Sequence, residues 1–417
     1  MTALDLTEVL RPGDRIVVGQ ACGEPTTLIE ALIDQGPRIG NLSVFIATSF
    51  SGLFTAATAD AFAVTSMGAI GALRALTKEH VLQVIPCHVS QVGPLVEAGV
   101  IGCDVAMVQL GPADGAGRHS CGLVADHVRA AVSSARTVVA EINDQVPHTF
   151  GETVSADEID CAVTVSRQPV RVGAAPIGPV DAAIAAHAAD YIGDGSVVQI
   201  GVGAVPEAIL RLLRDRVDLG VHSGMVGDGL VDLIEAGVVT NARKGIDRGV
   251  TVTGALIGTE RLYAFADRNP LLRMCPTRYT HDAGVLARLD RLVTINSALE
   301  VDLTGQVNAE QSGPAYLGGT GGQVDFVRAG ARSPGGHAII ALPATAKGGT
   351  VSRITAALSG PVTTARSEVD VIVTEFGAAE LKGRTLAERA RRLIAIAHPD
   401  FRAELDRAAH EIRRRGF

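Results

Sequence analysis

Two stretches of this chain read alike. GDRIVVGQACGEPTTLIEAL begins at Gly13, and GDGSVVQIGVGAVPEAILRLL begins at Gly193, 180 positions on. Each runs Gly-Asp, a β-branched segment, a Gly-containing turn, a Pro, and then Leu, Ile and Ala at helical spacing. A second echo follows, CDVAMVQLGPADGAG from Cys103 against DRLVTINSALEVDLTGQV from Asp290. Self-similarity over this length argues for two units of related fold. The strand signal is of one kind throughout: Arg15–Val18, Leu42–Ala47, Val81–Ile85, Val105–Leu110, Val138–Ile142, Val197–Ile200, Val250–Leu256, Leu292–Ile295, Ala338–Leu342 and Val369–Thr374. Such near-continuous Val/Ile runs, with helical patterns between them, mark sheets buried on both faces. The expectation is an α/β protein of two related open domains with largely parallel sheets, residues 1–180 and 181–417. The boundary falls at the polar stretch SRQPVRVGAAPIGPVD, and the second domain carries the site motifs. A cleft between the two is the default place for a ligand.

Composition narrows the function classes. Trp is absent and aromatic residues are 3% of the chain, so the cores must be aliphatic and bases have few rings to stack on. The formal net charge is -8. The arginines near the C-terminus (Arg402, Arg407, Arg413, Arg414 and Arg415) alternate with Asp, Glu and Ala, which describes a solvated helix face and argues against nucleic acid. No run of 18 apolar residues and no basic-apolar leader is present, so neither a membrane span nor a signal peptide is expected. Six Cys lie far apart with no C-x-x-C pair. That argues against a metal site or a disulfide framework and suits reduced thiols in a cytoplasm.

Three glycine-rich stretches carry the candidate chemistry. In GGTGGQVDF, Gly318–Phe326, four glycines in five residues let backbone N–H groups converge on a phosphate or a developing oxyanion. Gly319 and Gln323 are candidate ligand contacts there. In GVGAVPEA, Gly201 and Gly203 stand between a strand and a helix and could seat an anion at the helix start. The G-x-G-x-x-G spacing is lacking, so dinucleotide binding is weakly supported. In LGVHSGMVGDG, Leu219–Gly229, His222 and Ser223 are adjacent and do not make a catalytic dyad, and G-x-S-x-G is absent. Elsewhere Thr385 with Glu388 has the spacing of a capping box, and a short helix should follow Asp5.

TEFGAAELKGRTLAERARRLIAIAHPDFRAEL, Thr374–Leu405, resembles the C-terminal signature of the acetyl-CoA hydrolase/transferase family. These are class I CoA-transferases, and the 4-hydroxybutyrate CoA-transferase branch is the most similar. AEINDQVP, LGVHSGM, NSALEVDLTGQVN, GGTGGQVDFVRAGARS and GGTVSRI resemble it too, so the likeness runs nearly end to end. It implies the CoA-transferase fold, a homodimer or larger assembly, and coenzyme A lying across the interdomain cleft as substrate and product, with no permanently bound cofactor. It implies a glutamate nucleophile that attacks an acyl-CoA and passes CoA to a carboxylate acceptor.

The same resemblance exposes two departures. Where the family reads His-Ser/Thr-Glu-Met, this chain reads His222-Ser223-Gly224-Met225, so the nucleophile position is vacant. Where the family shows Asn-His-Pro, with the Asn amide helping to hold the oxyanion, RYTHDAGV places His281. Gly321 and Gly322 match the family's oxyanion loop. Space beside Gly224 would then admit water or a bulkier substrate, and His281, of a type that titrates near neutrality, would serve as general base. That points to hydrolysis of a CoA thioester, or a related C–C cleavage. The alternatives are CoA transfer through another carboxylate, with Asp228, Glu235, Glu300 and Glu375 as candidates, and a non-catalytic acyl-CoA-binding protein, the glycine being natural or introduced.

Overall fold

The computed structural model describes residues 4–59 and 61–414. The first sheet has seven strands: β1 (Arg15–Val18), β2 (Leu42–Phe45), β3 (Phe62–Ser66), β4 (Leu82–Val84), β5 (Val105–Leu110), β6 (Thr137–Asn143) and β7 (Cys161–Val165), in the order β7-β6-β5-β1-β2-β3-β4. Every pair in it is parallel. The second has six: β8 (Val197–Ile200), β9 (Gly220–Val221), β10 (Leu292–Ser297), β11 (His337–Ala341), β12 (Val371–Thr374) and β13 (Gly377–Glu380), in the order β9-β8-β10-β11-β12-β13. Only β13 runs antiparallel to its neighbour. The run β2-β1-β5-β6-β7 matches β9-β8-β10-β11-β12 position for position. The echo read in the sequence is therefore a shared strand order, with β1 answering β8 and β5 answering β10.

Strands that are buried throughout stand where the apolar runs place them. β5 and β8 are buried at every residue. β3, β7, β9 and β13 stand outside those runs; β3 alternates buried with more exposed positions, and β7, a sheet edge, alternates half-buried and exposed ones up to buried Val165. The expected strand Val250–Leu256 is cut at Gly254 into Thr251–Thr253 and Ala255–Leu256, which join different small sheets. The segment after Asp5 is one 3-10 turn, Leu6–Glu8, with the Asp5 carboxylate accepting from Thr7 N.

Each sheet has an aliphatic cluster of its own on one face, and the two share a third. One aliphatic cluster runs from Val17 and Ala106 of the first sheet to Val198, Ile200 and Ile339 of the second. Backbone contacts tie the halves as well. Ala69 N donates to Gly318 O at 2.7 Å, Val89 N to Gly321 O at 2.9 Å, and Ala125 N to Gly254 O at 2.9 Å. At the first of these a Cβ on Gly68 would lie 2.7 Å from both Gly318 O and Gly319 Cα, so the approach needs glycine on both sides.

The helix Leu386–Ala395 starts with the anticipated capping box. Thr385 Oγ1 accepts from Glu388 N, and Glu388 Oε2 accepts from Thr385 N at 2.9 Å. Thr385→Ala removes the cap and should cost about 1 kcal/mol. The expected outcome is a lower urea midpoint with an unchanged slope; an unshifted midpoint would show that the cap contributes nothing.

Candidate functional site

The inter-sheet glycine contacts enclose a cavity of about 230 Å³, several times the roughly 30 Å³ share of one liquid water. Its apolar walls include Phe50, Met67, Ile70, Val89, Ile257 and Phe326. Its polar groups are Gln20, Thr48, Asp126, Gln199, His281, Asn296 and Gln323, with the backbone of Gly201, Gly224, Gly321 and Gly322. Residues from the first 130 positions and residues from 199 onward share it, so neither half forms the site alone.

Gly224 follows β9 and lies against His281. A Cβ at Gly224 would stand 2.7 Å from His281 Cε1 and 2.9 Å from Nε2, with Phe326 Cε2 at 3.6 Å. A Cβ at Gly322 would stand 2.5 Å from His281 Nε2. The imidazole is wedged between the two glycines and lies 4.6 Å, centroid to centroid, from the Phe326 ring. Contrary to the expectation from the sequence, the space beside Gly224 is not open; the ring of His281 fills it. Gly224 and His281 are neighbours in space.

His281 is also not poised near neutrality. It is 6% exposed, and burial, reinforced by nearby His222, pushes its pKa down to about 3. Taking the ring out of water penalises the cation. At neutral pH it is an uncharged imidazole with Nδ1 2.8 Å from Thr280 Oγ1. A proton acceptor with so low a pKa is a weak base at neutral pH.

The carboxylate the sequence reading missed is Asp126. It lines the cavity and is 7% exposed. Gln20 Nε2 donates to its Oδ2 at 2.5 Å. Its Oδ1 lies against Gly254, on the side that also faces Gly224 O. Burial pushes Asp126 up to about 7, against the lowering effect of the Gln20 hydrogen bond. Its backbone carbonyl accepts from Thr277 N at 2.9 Å, and Thr277 O accepts from His281 N at 3.0 Å, so one short turn positions both groups. The sequence signal was thin: an acid and a histidine closing the apolar run LVADHV.

The other expected residues divide. Gly201, Gly224, His281, Gly321, Gly322 and Gln323 meet at the cavity. Gly321 and Gly322 immediately precede the helix Gln323–Arg332, where the first N–H groups have no partner within the helix. Gly319 faces Gly68 and Met67 O and serves the joint between halves. Gly203, with φ 128°, caps the helix Ala204–Leu212 and borders a separate pocket of about 140 Å³. Glu207 and Asp228 line that pocket too, a poor setting for an anion. Ser223 Oγ donates to Ile200 O and ties the loop after β9 to the end of β8. His222 Nε2 is 3.1 Å from Thr280 O. Of the four carboxylates proposed as substitutes, Asp228 holds Thr259 N, Glu235 pairs with Arg261 at the surface, Glu300 holds Asn308 and Ser359, and Glu375 holds Ala344 N. None lines the cavity. Among the described residues no cluster of three metal-ligating side chains occurs, and no helix is long and apolar enough to cross a membrane.

The acetyl-CoA hydrolase/transferase N-terminal domain profile matches residues 1–172, and the C-terminal domain profile matches 258–409. The chain belongs to the acetyl-CoA hydrolase/transferase family. It aligns along most of its length with CoA-transferases. It is 38% identical to 4-hydroxybutyrate coenzyme A transferase of Clostridium kluyveri over 97% of this chain and 96% of the relative. Its structure is similar to that of RipA from Yersinia pestis, with a TM-score of 0.93 and 35% identity over 98% and 96% of the two chains. It is also similar to 4-hydroxybutyrate CoA-transferase from Porphyromonas gingivalis, with a TM-score of 0.82 and 35% identity over 99% and 97%. Homologous enzymes of the family include both CoA transferases and acetyl-CoA hydrolases. Gly224 falls between the two matched segments, whereas His281, Gly321 and Gly322 fall inside the second.

Two predictions follow from the geometry. Gly224→Ala overpacks the His281 ring and should destabilise the protein by about 1–3 kcal/mol. In the Gly224→Ala/His281→Ala double variant that penalty should shrink, giving a coupling of about 1 kcal/mol or more in a double-mutant cycle; additive effects would show that the two do not touch. The second concerns Asp126, whose folded pKa lies above the unfolded value near 3.9. Its contribution to stability is complete below about pH 4 and is lost as pH rises through 7. Wild-type urea midpoints should therefore fall relative to those of Asp126→Asn between pH 4.5 and 8. A constant difference would refute the raised pKa.

Proposed function

We propose that this protein hydrolyses the thioester of a short-chain acyl-CoA. The observation that carries the reading is the wedging of His281 against Gly224, in the room where the family resemblance puts a glutamate nucleophile. With that position filled by a neutral ring, no group there can accept the acyl carbon, and water is the remaining attacker. The aliphatic walls suit a short acyl chain. In this reading the thioester oxygen lies at Gly321 and Gly322, whose N–H groups stabilise the oxyanion as it forms. In this reading Thr280 Oγ1, 2.8 Å from His281 Nδ1, is the donor of that pair, which leaves Nε2–H as a further donor to the same oxygen. His281 then takes the oxyanion-holding task of the family Asn and is not the base. Coenzyme A enters as part of the substrate and leaves as product, reached through Gly201 and Gln323.

The same reading takes residues 1–180 and 181–417 as the two domains. Residues 166–178, which have neither helix nor strand, support that division. It takes the working protein to be a cytoplasmic homodimer or larger assembly. A second reading, CoA transfer through a substitute carboxylate, is favoured by the presence of Asp126 in the cavity.

Thiol release from acetyl-, propionyl-, butyryl-, 4-hydroxybutyryl- and succinyl-CoA, with and without acetate, tests these readings. Hydrolysis predicts release that does not depend on acetate. Gly224→Glu alone should be inactive, because its side chain meets His281, whereas Gly224→Glu/His281→Asn should acquire acetate-dependent exchange. A wild-type protein that is active only with acetate would be a transferase. One that is silent on the whole panel, beside a double variant that exchanges, would be a binding protein.

A further inference from the structure

We propose that Asp126 is the catalytic residue that draws the proton from the attacking water. The inference rests on the hydrolytic reading and names its base. Three observations carry it. Asp126 supplies the only carboxylate among the described residues lining the cavity, and His281 is the only other ionisable side chain there. Its Oδ1 shares the Gly254 side of the wall with Gly224 O, next to the position the nucleophile would hold in the family. And, among the described residues, Gln20 gives it its one side-chain hydrogen bond, beside a backbone one from Asp126 itself. Gln20 Nε2 donates to Oδ2 at 2.5 Å, while Gln20 Oε1 is buried and meets no donor from the protein. A water between the two side chains would donate one hydrogen to the carboxylate and the other to that amide oxygen.

Other buried carboxylates in the first half are held differently. Glu24 accepts from Phe50 N, Ser51 N, Ser49 Oγ and Ser51 Oγ. Glu141 accepts from Thr27 N and Leu28 N at the start of the helix Thr26–Ile39 and lies 3.5 Å from Gln109 Nε2. Neither lines the cavity. Those two acids brace loops and helix starts, whereas Asp126 faces the space where a substrate would sit. Burial also raises its affinity for a proton into the range a base at neutral pH requires.

The step balances. Water oxygen bonds to the thioester carbon as its proton passes to Asp126, and the carbonyl electron pair moves to the oxygen held by the glycine N–H groups. The pair returns, the C–S bond breaks, and the proton on Asp126 passes to the departing sulfur. The products are the free acid and coenzyme A, and Asp126 is again a carboxylate.

The test compares wild type, Asp126→Asn and Asp126→Glu for acceptor-free thiol release from butyryl-CoA, for affinity for coenzyme A by calorimetry, and for label position after a single turnover in ¹⁸O-water. The expected result is a loss in kcat of about 10²-fold or more for Asp126→Asn, with coenzyme A affinity within threefold of wild type. Asp126→Glu should keep part of the rate, and the label should appear in the product acid. Should Asp126→Asn not fold, Asp126→Glu carries the test: the displaced carboxylate must lower kcat at least tenfold at unchanged affinity. A rate within threefold of wild type for Asp126→Asn overturns the assignment and leaves hydrolysis standing. Label found in Asp126 overturns it in favour of a nucleophile. A wild-type protein with no acceptor-free release overturns the hydrolytic reading, and the base with it.

Discussion

The site exists because two backbones come within van der Waals reach where the halves of the chain meet. Gly68 and Gly319 face one another so closely that a methyl group on Gly68 would strike main-chain atoms. The contact is sealed by Ala69 N on Gly318 O. From it the glycine loop is aimed. Gly318 and Gly319 are spent on docking, which leaves Gly321 and Gly322 at the cavity, at the start of a helix whose first N–H groups have no helical partner. An aliphatic core shared by both sheets holds this arrangement, so the joint is packed as protein interior.

Within the cavity Gly224 and His281 accommodate one another. A glutamate beside His281 would need room that the imidazole occupies, and an imidazole beside a glutamate would lose its place between Gly224 and Gly322. The ring fills the volume beside Gly224, since an interior does not leave such a volume unfilled without cost. Its burial then decides its chemistry. Out of water and next to His222 it stays uncharged, suited to donating or accepting a hydrogen bond and unsuited to taking a proton at neutral pH. Asp126 experiences the same burial with the opposite result, because desolvation drives bases and acids alike toward their neutral forms. One cavity therefore lowers the histidine and lifts the aspartate.

Much of this was legible in the residues. The echo of Gly13 in Gly193 and of Cys103 in Asp290 is the shared strand order. The apolar runs mark the fully buried strands, and Thr385 with Glu388 marks a helix start, because these depend on local spacing alone. The alternating strands Phe62–Ser66 and Cys161–Val165 escaped, since half of each faces away from a core. Gly254 escaped as a break, since nothing local says that a carboxylate will lie against it.

What the chain determined by itself was which segments are strands, which glycines permit a tight approach, and that Gly224 can supply no nucleophile. Tertiary structure decided what stands in the room beside Gly224. His281 is 57 positions away along the chain, and Asp126 is 98 positions away in the other direction; only folding makes them neighbours. It also decided their protonation, because a pKa is set by the water a group loses and the partners it meets, and neither is written in the residue type.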